Sequence, residues 1–182
     1  MFVKKKMEDL NRLDPEEVKS APKHPLIIVL DDVRSMHNVG SVFRTADAFG
    51  VEAVYLCGYT PCPPHRDIHK TALGATETVL WKHTSSAELA VKDLKTRGYR
   101  ILPVEQAHNS TNLSRFNWDQ QPTALIFGNE VEGVSDKVLA LADGVLEIPQ
   151  FGAKHSLNIA VSAGVVLWEM IKTGITGQEP NS

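Results

Sequence analysis

Five consecutive aliphatic residues, Leu26-Ile27-Ile28-Val29-Leu30, follow the prolines Pro22 and Pro25. A run without polar alternation fits a strand covered on both faces, which is the situation of a parallel sheet flanked by helices. The rest of the chain keeps the matching rhythm. Val39 to Phe49 has helical periodicity with Gly50 at its C′ position, and Val51 to Leu56 reads as strand, completing a βαβ unit. Thr78 to Trp81 is a short strand, Ser85-Ser86-Ala87-Glu88 forms a capping box for a helix that stops at Gly98, and Tyr99 to Val104 is strand again. Gln106 to Gln121 is polar and irregular. Beyond it, Thr123 to Phe127, a Ser135-capped helix and Val145 to Ile148 supply two more strands and their crossover. The last helix, from about Ser156 to Thr173, is apolar nearly all round and is therefore expected to be buried.

Alternating strands and helices predict a doubly wound, mostly parallel α/β sheet of about five or six strands. The 182 residues suit one such domain over 25–182. A helical extension over 1–24 precedes it: Met7, Leu10 and Leu13 lie at helical spacing, and Asp14-Pro15-Glu16-Glu17 reads as the start of a second short helix. No apolar stretch approaches the ~20 residues of a bilayer span, and the Met1-Phe2-Val3-Lys4-Lys5-Lys6 start has no signal-peptide core, so a cytoplasmic address is expected. Cys57 and Cys62 have no second pair to complete a zinc site and read as reduced thiols, and the seven His residues show no ligand spacing, so no metal is expected. With 19 Lys+Arg against 22 Asp+Glu the net charge is −3, which argues against a generally basic nucleic-acid binder. A polyanion would have to meet a local patch, for which Lys4 to Lys6, Arg34 with Arg44, His65-Arg66 with Lys70, and Lys154-His155 are available.

In doubly wound sheets ligands bind beyond the carboxyl ends of the strands. Three loops there carry unusual residues. After Leu30, Asn38 is placed to cap a helix or to serve a site, Gly40 permits close approach of a ligand, and Arg44 lies in an apolar helical stretch where burial needs an anionic partner, Asp32 or Asp47 included. After Phe127, Gly128-Asn129-Glu130-Val131-Glu132-Gly133 can bend round a ligand, yet it is neither a Walker A motif nor a dinucleotide fingerprint. After Ile148, Ser156 suits the cap of the last helix, while Asn158 is out of place at the head of so apolar a helix.

Together these segments resemble the three motifs of the SpoU (TrmH) family of SPOUT-class RNA methyltransferases. The matches are Asn38-x-Gly40-x-x-x-Arg44-Thr45-Ala46, Ile126-Phe127-Gly128-Asn129-Glu130-x-x-Gly133, and Ile148-Pro149-x-x-Gly152-x-x-x-Ser156-Leu157-Asn158, within a resemblance spanning about residues 25–173. The resemblance implies a C-terminal trefoil knot, a homodimer, S-adenosylmethionine as cofactor, and methyl transfer to a ribose 2′-OH of tRNA or rRNA. It places Arg44 at the catalytic arginine, with Asn38, Glu130, Ser156 and Asn158 at the other functional positions. Backbone at Gly128, Ile148 and Leu157 would hold the adenosine, and Asn129 would shape the cofactor loop. A neutral Arg44 at pH 7 would cost about 8–9 kcal/mol, so a phosphate-binding, alkoxide-stabilising role is favoured over that of a base. The proton is left to the phosphate, to water or to a neighbour, and His155 is one rival acceptor. Many relatives have Met after Ile-Pro where this chain has Gln150. Only about 25 residues precede the first strand. With no extra N-terminal RNA-binding domain expected, a tRNA substrate, modified at a guanosine, is slightly favoured. Arg34, Arg66, Lys70 and Lys154 are the expected RNA contacts, with Pro61-Cys62-Pro63-Pro64 a stiff loop presenting Arg66. The alternatives are a catalytically inactive RNA-binding paralogue and an unrelated doubly wound nucleotide-binding protein.

Overall fold

The computed structural model describes residues 2–6, 9, 14–153 and 156–175, excepting the side chains of 173–175. The expected turn of helix at Met7, Leu10 and Leu13, and the candidates Lys154 and His155, lie outside the described residues. Helix α1 (Pro15–Ser20) starts as its sequence predicts: the Asp14 carboxylate accepts the amides of Glu16 and Glu17, and the Glu17 side chain closes the capping box. It rests against α4 (Ala75–Thr78).

Strands β1 (His24–Asp31), β2 (Val51–Cys57), β3 (Leu80–Thr84), β4 (Arg100–Pro103) and β6 (Thr123–Phe127) form one all-parallel sheet in the order β3-β2-β1-β6-β4. The central run behaves as its composition demands. Leu26, Ile28 and Leu30 face α2 (Met36–Ala48) and α7 (Ile159–Ile175), whereas Ile27 and Val29 face α5 (Ala87–Thr96) and α6 (Asp136–Leu139). All five are fully buried, so each face of β1 excludes water from a separate core. The chain builds outward from β1 to β3, crosses to the far edge at β4 and returns at β6. The reversal falls between β1 and β6, where a ligand crevice is expected.

Several local expectations give way to tertiary contacts. Strand Thr78 to Trp81 starts two residues later, because Thr78 closes α4 and its hydroxyl donates to Asp47. The cap of α5 is Ser86, which accepts the Leu89 amide, so Ser85 and Glu88 form no capping box. Ser135 precedes α6, but its hydroxyl donates to the buried Asp31 carboxylate instead of capping. The expected sixth strand shrinks to β7 (Leu146–Glu147), paired with β5 (Thr111–Asn112) outside the main sheet. It cannot join the outer edge of β4: the Asp143 carboxylate accepts the Ile101 amide there, and Pro103 has no N–H to offer. Instead Leu146 meets Val104 in a single bridge beyond the end of β4.

Two capping assignments move. Ser35, not Asn38, caps α2, accepting the Asn38 amide at 3.2 Å. Asn158, not Ser156, heads α7; its side-chain oxygen accepts the Ala160 amide at 2.9 Å. Gly40 is also reassigned. A Cβ there would lie 2.1 Å from Thr71 Oγ1 and 2.3 Å from the Ile68 carbonyl, so this glycine admits α3 (Arg66–Ala72) rather than a ligand. Finally, α7 is buried on one side only. Val161, Val165 and Trp168 form a stripe at helical spacing that stays exposed because the described residues pack on the other side of the helix, with Trp168 at 54%.

Candidate active site

Strand register brings four loops to one edge. Leu30 pairs with Phe127, Asp31 with Cys57, and Pro103 with Ile126, so the segments after β1, β2, β4 and β6 leave the sheet side by side. β7 then carries the chain back to the same edge. A cavity of about 690 Å³ opens among residues 104–106, 127–134, 148, 150 and 156–159, with Asn38 and Ser162 on its wall. Its size is ordinary for a small-molecule site.

Residues remote in sequence are hydrogen-bonded here. Asn158 Nδ2 donates to Asn38 Oδ1 at 2.9 Å, and Asn38 Nδ2 donates to Glu130 Oε1 at 3.2 Å. Glu130 also accepts the Arg34 amide at 3.1 Å and the Ser35 amide at 3.2 Å. One carboxylate thus ties the loop after β6 to the first turn of α2. Release of Asn38 from capping is what frees its side chain to link the other two motifs. Partial burial alone would raise the Glu130 pKa, but the donated hydrogen bonds from Arg34, Ser35 and Asn38 outweigh it and hold the carboxyl below the ordinary glutamate range. A lowered carboxylate contributes fully above its unfolded value and is lost as pH falls through the folded one. The Arg34 and Ser35 amide resonances, followed by NMR, are therefore expected to stay flat through neutral pH and to titrate only below the ordinary glutamate range.

The loop after β6 is rigid by construction. Asn129 and Gly133 exchange backbone hydrogen bonds at 3.0 and 2.9 Å. The Asn129 side chain, itself buried, accepts the Val131 and Glu132 amides and donates to the Asp32 carbonyl. Its polar atoms are spent on shaping the loop. Gly128 lies directly beneath: a Cβ there would come within 2.0 Å of the Gly133 carbonyl carbon. Ile148, Leu157 and Ser156 line the cavity, as does the divergent Gln150.

Arg44 stands apart. It is exposed, makes no ion pair or hydrogen bond among the described residues, and does not line the cavity. The alternative reading of Arg44 as a salt-bridge partner of Asp32 or Asp47 does not hold: Asp32 accepts the Tyr59 amide and Asp47 the Thr78 hydroxyl. Arg34, Arg66 and Lys70 are likewise exposed and outside the cavity. Among the wall residues that escaped the sequence reading are Glu105 and Gln106. Glu105 accepts the Val134 amide at 3.0 Å and so braces the glycine loop from across the sheet. Their signal was position, immediately after a strand at the carboxyl edge.

The charge of the wall is selective. Glu105, Glu130, Glu132 and Asp136 line it, and among the described residues no Lys or Arg does. Such a cavity favours a cationic ligand and repels polyphosphates. Among the described residues no cluster of His, Cys, Asp and Glu has the make-up of a metal site, both cysteines are free, and no helix is long and apolar enough to cross a membrane.

A parallel α/β domain with its strand ends gathered round an acid-lined crevice defines a class of small-molecule-dependent enzyme folds. Within that class the chain belongs to the SpoU rRNA Methylase family, whose sequence model matches residues 25–168. It is 32% identical over 154 residues to the tRNA (guanosine(18)-2′-O)-methyltransferase of Thermus thermophilus, covering 85% of this chain and 78% of that one. It is also 32% identical to the 23S rRNA (guanosine-2′-O-)-methyltransferase RlmB of Haemophilus influenzae, over 91% of this chain and 67% of that one. Among solved structures, the Aquifex aeolicus TrmH/SpoU tRNA modifying enzyme superimposes with a TM-score of 0.77 at 26% identity, covering 92% of this chain and 85% of that one. An rRNA methyltransferase from Sinorhizobium meliloti solved with S-adenosylmethionine bound gives 0.78 at 25% identity, over 86% of this chain and 60% of that one.

Proposed function

We propose that this protein transfers a methyl group from S-adenosylmethionine to a ribose 2′-OH of RNA, with a guanosine of tRNA as the favoured substrate. The observation that carries this is the meeting of Asn38, Glu130 and Asn158 on the wall of one acid-lined cavity. S-adenosylmethionine, when bound, supplies an electrophilic methyl on a sulfonium cation. The four carboxylates suit that cation and oppose the triphosphate or pyrophosphate of a nucleotide-binding protein. Retention of the Asn38–Glu130–Asn158 chain speaks against an inactive paralogue.

The chain's own residues then have distinct tasks. The backbones at Gly128, Ile148 and Leu157 hold the adenosine end, and Glu130 fixes α2 relative to the loop after β6. Arg44 grips the phosphate beside the target ribose and stabilises the developing alkoxide, while the hydroxyl proton passes to that phosphate or to water. Because Arg44 lies outside its own subunit's cavity, it serves the cavity of a second subunit. A homodimer is part of the same reading, and the exposed Val161, Val165 and Trp168 stripe gives it an apolar contact face. The placement of Ile148 and of residues 156–158 beside the β6 loop is read as part of the family's trefoil knot. Arg34, Arg66 and Lys70 supply RNA backbone contacts from outside the cavity, in the cytoplasm, where tRNA is modified.

Incubation with labelled S-adenosylmethionine and unmodified tRNA and rRNA, followed by mapping of ribose-methylated positions, tests this. Label at a 2′-O-methylguanosine of tRNA is expected. Cofactor binding with no transfer to either RNA would establish the inactive paralogue instead.

A further inference from the structure

Tyr59 is an almost fully exposed aromatic ring at the carboxyl edge of the sheet, at 89%, on a loop whose backbone is anchored on both sides. Its amide donates to Asp32 Oδ1 at 2.7 Å, the preceding Gly58 amide donates to the Thr84 carbonyl at 3.0 Å, and Gly58 O contacts His83 Nε2 at 3.0 Å. The following Thr60 is buried; its hydroxyl accepts the Val33 amide and donates to the Leu30 carbonyl. The anchored loop fixes the point from which the ring projects, while the ring itself gains almost no packing within the chain. The mounting also connects to the cavity, since Asp32 accepts from Tyr59 and passes its carbonyl to Asn129 on the cavity wall. Arg34 follows Val33, whose amide the Thr60 hydroxyl accepts, and Arg66 opens α3 seven residues beyond Tyr59. Neither guanidinium makes an ion pair among the described residues, although surface cations elsewhere, such as Lys82, Lys95 and Arg100, are paired.

An exposed π-face on an anchored loop, with unpaired cations on the neighbouring β1 loop and at the start of α3, matches the chemistry of an unstacked RNA base and its adjoining phosphates. We propose that Tyr59 is a stacking platform for an unpaired base of the RNA substrate beside the methylated nucleotide. The inference rests on the RNA methyltransferase reading and extends it to a residue outside the three motifs.

Steady-state kinetics on unmodified tRNA decide it. Tyr59→Ala is expected to raise KM for RNA about tenfold, with kcat and S-adenosylmethionine affinity unchanged, and Tyr59→Phe and Tyr59→Trp, which keep a π-face, are expected to restore KM. A merely structural tyrosine would lower kcat and thermal midpoint together and would gain nothing selectively from aromatic replacement. If the parent protein methylates tRNA and Tyr59→Ala leaves KM within about twofold, stacking is wrong while the functional reading stands. If the parent protein modifies no RNA, the functional reading itself fails and takes the platform with it.

Discussion

Arg44→Ala is expected to lower methyl transfer by about 10²–10³-fold while leaving S-adenosylmethionine affinity and thermal midpoint unchanged. The separation follows from the position of the side chain. Arg44 is exposed, has no internal partner among the described residues and touches no part of its own cavity, so truncation removes no packing and no cofactor contact. Arg44→Lys should recover little, because a compact ammonium cannot present the planar fork that grips a phosphate and a neighbouring oxygen together. Subunit mixing adds a sharper test. Arg44→Ala protein is reassociated with a variant whose own cavity is blocked, Gly128→Ala. If Arg44 acts across the interface, half of the random dimers carry one complete site, and about a quarter of the parent rate returns. If Arg44 acts within its own subunit, no mixed dimer holds a complete site and the mixture stays inactive. That result would also require a rearrangement bringing Arg44 to its own cavity.

What was legible in the sequence was whatever a local pattern determines. Leu26 to Leu30 announced a strand buried on both faces, and its even and odd residues do face separate cores. Glycines at 50 and 98 ended helices in the left-handed region, as their positions after the periodic segments implied. The three motif loops were identifiable for the same reason, and the structure brings two of their asparagines and one glutamate into hydrogen-bonding contact. What could not be read was competition between a local role and a distant partner. Asn38 and Ser35 are both acceptable caps, and only the location of Glu130 and Asn158 decides that Ser35 does the capping. Ser135 looks like a cap until the buried Asp31 carboxylate claims its hydroxyl. Gly40 looked like room for a ligand, whereas the approaching atoms belong to α3, a contact that sequence spacing does not encode. The last helix, apolar nearly all round, was expected to be buried, partly against a second subunit, and Val161, Val165 and Trp168 are the part that the described residues of one chain leave exposed.

Gly128→Ala is expected to weaken binding of the demethylated cofactor product at least about 100-fold, measured by calorimetry, at a stability cost of about 1–3 kcal/mol. The added methyl would lie 2.0 Å from the Gly133 carbonyl carbon and 2.1 Å from the Val134 nitrogen. Both obstacles are backbone atoms, so no side-chain rotation relieves the overlap. Nor can the loop drift freely: Val134 and Ser135 amides are held by Glu105 and Asp31, and Asn129 pins the other limb to Asp32. The strain must open the 129–133 bridge, which forms one wall of the cavity and carries Glu130 to α2. Loss of affinity could still reflect general damage, and Gly40→Ala separates the two causes. There the overlap is as severe, 2.1 Å from Thr71 Oγ1 and 2.3 Å from the Ile68 carbonyl, but it falls between α2 and α3 and outside the cavity lining. Urea denaturation should register both substitutions, whereas calorimetry on the folded proteins should register Gly128→Ala alone. Equal loss of affinity in the two variants would mean that the β6 loop has no special claim on the cofactor, and the assignment of this cavity as the methyl-donor site would fall.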